Sequence, residues 1–133
     1  MKNGFILFSL VIVTYLMSCS EPLIDGRIDL DMFDEIEMRV INDSDIDLMQ
    51  VTLVPCFNPS DNLFFNVNSS DTTEYRFFDC GFYQTIVEVI TNSDTLKHEP
   101  IDFSSPLSAG SYDCVINISE DQNLDIQIQQ SEI

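Results

Sequence analysis

The chain has 133 residues, with 5 Lys and Arg against 23 Asp and Glu, a formal net charge of −18, 44 % hydrophobic residues and no Trp. That length holds one sizeable core, and that apolar content is too high for a fully disordered chain. The acidity excludes a nucleic-acid partner, because attraction to phosphate needs clustered Lys and Arg.

The chain opens on an address. Lys2 gives a positive start, and Gly4 to Leu16 is almost wholly apolar. The run is shorter than the roughly 20 apolar residues that span a bilayer, and fits the apolar region of a secretory signal. It ends at Leu16-Met17-Ser18-Cys19, which resembles a lipobox, the cleavage and acylation motif of bacterial lipoproteins. The resemblance implies that residues 1–18 are removed and that Cys19 becomes the lipidated first residue. A thiol is the nucleophile that can take a diacylglycerol thioether, and several acyl chains hold a soluble domain firmly to a membrane. Ser20 after the Cys implies, by the sorting rules of Gram-negative lipoproteins, the outer membrane. Residues 19–34, acidic and broken by Pro22 and Gly26, read as a flexible tether.

From residue 35 the period is two rather than 3.6. Ile36, Met38 and Val40 alternate with Glu35, Glu37 and Arg39, and the spacing predicts a strand with one apolar and one charged face. The turn at Asn42-Asp43-Ser44-Asp45 comes next. Met49, Val51 and Leu53 then alternate with Gln50 and Thr52. A second turn falls at Asn58-Pro59-Ser60-Asp61-Asn62 and a third at Asn68-Ser69-Ser70-Asp71. Phe82 to Thr91 is apolar on both parities, as in a strand covered on both faces. Turns follow at Thr91 to Asp94 and Ser108-Ala109-Gly110. Tyr112, Cys114, Ile116 and Ile118 alternate with more polar neighbours, and so do Leu124, Ile126 and Ile128. Seven to eight short strands, with no amphipathic helix of core length, predict an all-β, antiparallel sandwich over residues 35–133.

Leu107 to Cys114 resembles the tyrosine corner of immunoglobulin-like and fibronectin-type-III-like sandwiches, with Tyr112 and Cys114 in the two characteristic places. More widely, the stretches Asn42 to Asp47, Thr73 to Phe78, Pro100 to Phe103 and Leu107 to Tyr112 are similar to small β-sandwich lipoproteins of Gram-negative bacteria. The corner implies that the Tyr112 hydroxyl bonds back to upstream backbone. Three cysteines follow Cys19, so one bridge has three choices: Cys56–Cys80, Cys56–Cys114 or Cys80–Cys114. The immunoglobulin resemblance implies Cys56–Cys114.

Motifs that carry chemistry are scarce. Asp43, Asp45 and Asp47 form a D-x-D-x-D run that suggests Ca²⁺, which prefers several carboxylate oxygens. Counting from Asp43, the EF-hand places for Gly and Glu hold Leu48 and Val54, so only a looser site is open, joined by Asp102 or Asp113. The single imidazole, His98, lies beside no G-x-S-x-G elbow, and among 4 Gly there is no phosphate loop. No cofactor and no catalytic residue is expected. The expectation is a lipid-anchored outer-membrane module, non-enzymatic, that meets a basic envelope protein; the alternative is a Ca²⁺-binding module.

Overall fold

The computed structural model describes residues 33–56, 63–102 and 105–132. Residues 1–18 with the Leu16-Met17-Ser18 motif, Cys19, the tether as far as Met32 and the Asn58 to Asn62 turn lie outside the described residues. Eight strands follow in chain order: β1 Ile36–Asn42, β2 Leu48–Val54, β3 Leu63–Val67, β4 Arg76–Phe78, β5 Ile86–Ile90, β6 Thr95–His98, β7 Gly110–Ile118 and β8 Leu124–Gln130. No helix occurs among the described residues.

The strands form two four-stranded sheets, in the orders β4-β1-β7-β8 and β3-β2-β5-β6. The core lies between them. Ile36, Met38 and Val40 of β1 and Tyr112, Cys114, Ile116 and Ile118 of β7 point into it from the first sheet. Leu48, Val51, Leu53, Phe64, Val67, Val87 and Val89 meet them from the second. The period-two pattern thus has its expected cause: one face of each sheet is buried.

Four expectations are corrected. β1 runs parallel to β7, from Ile36 opposite Gly110 to Asn42 opposite Ile116, so the sandwich is not wholly antiparallel. Alternation shows which side chains share a face but not the direction of the neighbouring strand; five intervening strands supply the long crossover that a parallel pair needs. Next, Met49 is exposed and Leu48 takes the inward place. On the paired strand β3, Asn66 has a positive φ of 53°, and two residues separate consecutive inward side chains on both strands, Leu48 and Val51 facing Val67 and Phe64. Asn tolerates this left-handed conformation better than most residues. Third, the strand expected over Phe82 to Thr91 begins only at Ile86; Phe82 and Thr85 are buried in the connection before it. Lastly, Phe33 and Asp34 belong to the domain. The Phe33 ring meets Phe82 edge-on at 5.5 Å, and the Asp34 carboxylate accepts the Ala109 N–H at 3.1 Å.

The sheets are linked at both ends. At the end reached by the β1–β2 turn, Asn42 is fully buried, and its amide donates to the carbonyls of Ile46, Val67 and Asn68 at 2.8, 3.1 and 3.0 Å. Its side-chain oxygen accepts the Ser44 N–H and hydroxyl. A buried amide is tolerated because every polar atom is satisfied. At the opposite end, a disulfide joins Cys56, just past β2, to Cys80, just past β4. Gly81 follows it because an added Cβ would strike the Ile36 side chain and crowd Leu107.

Candidate functional site

The expected site residues sort into structural ones and unassembled ones. The Tyr112 hydroxyl donates to the Ser108 carbonyl, four residues upstream, at 2.9 Å. The Cys56–Cys114 bridge does not form. Cys56 pairs with Cys80, while Cys114 is a free thiol, fully buried between the sheets. The reason is placement: Cys114 sits mid-strand on β7, whereas Cys56 and Cys80 leave their strands at one end of the sandwich. Burial pushes the Cys114 thiol up to about 12, so it stays protonated and chemically quiet.

Asp43, Asp45 and Asp47 do not converge. Asp47 accepts the Ser69 N–H at 2.8 Å, tying the β1–β2 turn to the β3–β4 connection, and Asp43 and Asp45 are exposed. No group of three His, Cys, Asp or Glu that could hold a metal occurs among the described residues. Asp113 is committed elsewhere, and the looser Ca²⁺ site is not assembled there. His98 is half-buried on edge strand β6, opposite Val87.

Two sheet surfaces face away from the core, and they differ. On the first sheet, Asp113 accepts Arg39 Nε and Ser131 Oγ, both at 2.7 Å, and Arg39 stacks 4.7 Å from the centre of the Tyr75 ring. Burial alone would raise the Asp113 carboxyl, but hydrogen bonds from Arg39 and Ser131, with the Arg39 charge, hold it below the usual carboxylate range. The same contact raises the Arg39 guanidinium. Nearby, Ser111 donates to Glu37 at 3.0 Å beside a hollow of about 320 Å³ lined by Glu35, Glu37 and Phe77.

The second sheet presents apolar side chains. Phe65 is 59 % exposed and Leu63 37 %, two residues apart on one face of edge strand β3. Across the sheet, Phe65 is opposite Gln50, which is opposite Ile90; Val54 is opposite Ile86. Met49, next to Gln50, is 48 % exposed. Val54, Ile86 and Ile90 are half-buried. The charges on this face are Glu88 and Lys97, opposite each other, with Lys97 also paired to Glu99 at 2.5 Å. β3 has no alternating pattern to mark it; its signal is Leu63-Phe64-Phe65, apolar on both parities in a strand buried on one side only.

The fold and these surfaces define an all-β protein with two packed four-stranded sheets. No family model matches the chain, and no curated protein does. Among solved structures it is similar to an NMR structure of a protein from Eubacterium rectale. The TM-score is 0.54 at 18 % identity, over 81 % of this chain and 99 % of that one. At that identity the likeness concerns the fold alone.

Proposed function

We propose that this protein is an immunoglobulin-like, lipid-anchored module of the outer membrane, acylated at Cys19, that binds a basic envelope protein and catalyses nothing. The observation that carries this reading is the outer face of the second sheet, where Phe65 and Leu63, two residues apart on edge strand β3, are exposed beside the half-buried Val54, Ile86 and Ile90. Large apolar side chains grouped on a surface mark interaction sites more often than single ones do. The net charge of −18 selects a basic partner and makes association sensitive to salt. The tyrosine-corner bond of Tyr112 supports the immunoglobulin-like part, and the lipobox supports the anchor.

The test is photo-crosslinking in intact envelopes, with the reactive group placed at Phe65 or, as control, at Gln127 on the outer face of β8. The expected result is a discrete adduct to a basic protein from position 65 alone, weakening as ionic strength rises. Equal labelling from both positions, or labelling indifferent to salt, refutes the reading.

A further inference from the structure

The strand directions place the connections at two ends. The β1–β2, β3–β4, β5–β6 and β7–β8 connections share one end. The segment entering β1, the β4–β5 and β6–β7 connections and the disulfide share the other. The second end is where the chain arrives from Cys19, because Phe33 packs on Phe82 and Asp34 holds Ala109 there. It also carries apolar side chains turned to solvent. Ile101 in the β6–β7 connection is fully exposed, Tyr83 in the β4–β5 connection is 47 % exposed, and Phe77, one residue from the end of β4, is 78 % exposed. The Tyr83 N–H donates to the Ser105 carbonyl at 3.0 Å, so the two connections lie side by side.

We infer that this end of the sandwich rests on the lipid surface, with Ile101 and Tyr83 dipping into the interface and Phe77 at its margin. The inference rests on the lipid anchor proposed at Cys19. Thirteen residues lie between Cys19 and Phe33, so the fourteen steps from one to the other span at most about 50 Å when fully extended. Anchoring within that reach makes contact with the membrane effectively intramolecular, so a contact too weak to hold a free protein becomes occupied. An apolar tip and an amphipathic Tyr suit the boundary between headgroups and acyl chains. Asp34, Glu35, Asp79 and Asp102 lie at the same end, so the surface that fits is zwitterionic, and an anionic one is repelled. The far end, with Asp43, Asp45, Asp71, Glu120 and Asp121, then faces away from the bilayer.

The chain has no Trp, so one introduced indole reports its own surroundings. The acylated full-length protein is reconstituted into phosphatidylcholine vesicles with brominated acyl chains, carrying Ile101→Trp or, at the far end, Ile46→Trp. Both positions are exposed, which spares the core. The expected result is at least twofold stronger quenching and a bluer emission for Ile101→Trp, both reduced when anionic lipid is added. Equal, weak quenching at both positions in a protein whose mass shows acylation overturns the docking alone. A protein that carries no lipid, and behaves identically with Cys19→Ser, overturns the anchor and the docking together.

Discussion

The two outer faces of the sandwich are built from the same kind of strand and end up with different surfaces. On the β4-β1-β7-β8 sheet polar groups satisfy one another, Arg39 with Asp113, Asp113 with Ser131 and Ser111 with Glu37, and the exposed Phe77 is set apart on edge strand β4. On the β3-β2-β5-β6 sheet Phe65, Leu63 and Met49 face solvent, and among the described residues the charges on its strands' outer face are Glu88 and Lys97, opposite each other. A face whose groups pair within the chain contributes to stability. A face with exposed apolar area contributes little until a partner covers it. Strands of one kind can therefore leave one side of a core with its polar groups paired and the other with apolar area uncovered.

The comparison depends on a frame that holds both sheets, so the largest effect is expected from breaking it. Replacing Cys56 and Cys80 together by Ala releases a loop with a sequence separation of 24. In the chain-entropy view this costs about 3–4 kcal/mol, seen as a fall in the urea midpoint. A loss below about 1 kcal/mol would mean that the disulfide does not hold the sheets together. At the other end, Asn42→Ala removes the donor to three carbonyls and the acceptor for Ser44. It should cost about 3 kcal/mol, or on the order of 10–20 °C in the melting midpoint. Asn42→Asp should cost at least as much, since a carboxylate can donate to none of those carbonyls.

Asp113→Asn sharpens the contrast between the faces. It should cost about 1–2 kcal/mol near neutral pH by removing the charge that Arg39 meets, and leave partner crosslinking at position 65 unchanged. The pH dependence has a definite sign. The folded Asp113 carboxyl lies below its ordinary value, so its contribution is complete above about pH 4 and is lost as pH falls through the folded value. The melting midpoints of the parent and Asp113→Asn should therefore converge in acid, and a gap that widens there would reverse the assignment. Phe65→Ser should do the opposite of Asp113→Asn: stability within about 0.5 kcal/mol, as for surface positions generally, with the partner adduct lost when the reactive group is placed at the neighbouring Leu63. The smallest expected effect is that of Ca²⁺ on the melt. With Asp43, Asp45 and Asp47 apart, Ca²⁺ and Mg²⁺ at matched ionic strength should shift the midpoint equally, by screening. A Ca²⁺-specific rise abolished by replacing all three with Asn would restore the cation site.

Much of the frame was legible from residue order. Ile36, Met38 and Val40, and Tyr112 to Ile118, announce their strands because a half-buried strand needs alternation and little else. The Tyr112 bond was legible because its partner, Ser108, is only four residues upstream. The candidate site was less so. Phe64 and Phe65 are the same residue type side by side, and only the sheet sends one into the core and leaves the other outside. Local order likewise says nothing of which cysteine lies near Cys56, for that distance is set by where β2 and β4 end in space.

Local periodicity and short-range bonding therefore encode strands rather than helices, a core between half-buried strands, turns such as those at Asn42 to Asp45 and Asn68 to Asp71, and a strongly acidic composition. The tertiary structure decided what depends on contacts between distant segments. It set β1 parallel to β7, paired Cys56 with Cys80, buried Cys114, joined Arg39 to Asp113, and left Phe65 in solvent. Each follows from the same physical cause: a strand's pattern states which face it hides, whereas its neighbours are selected by the packing of the whole core.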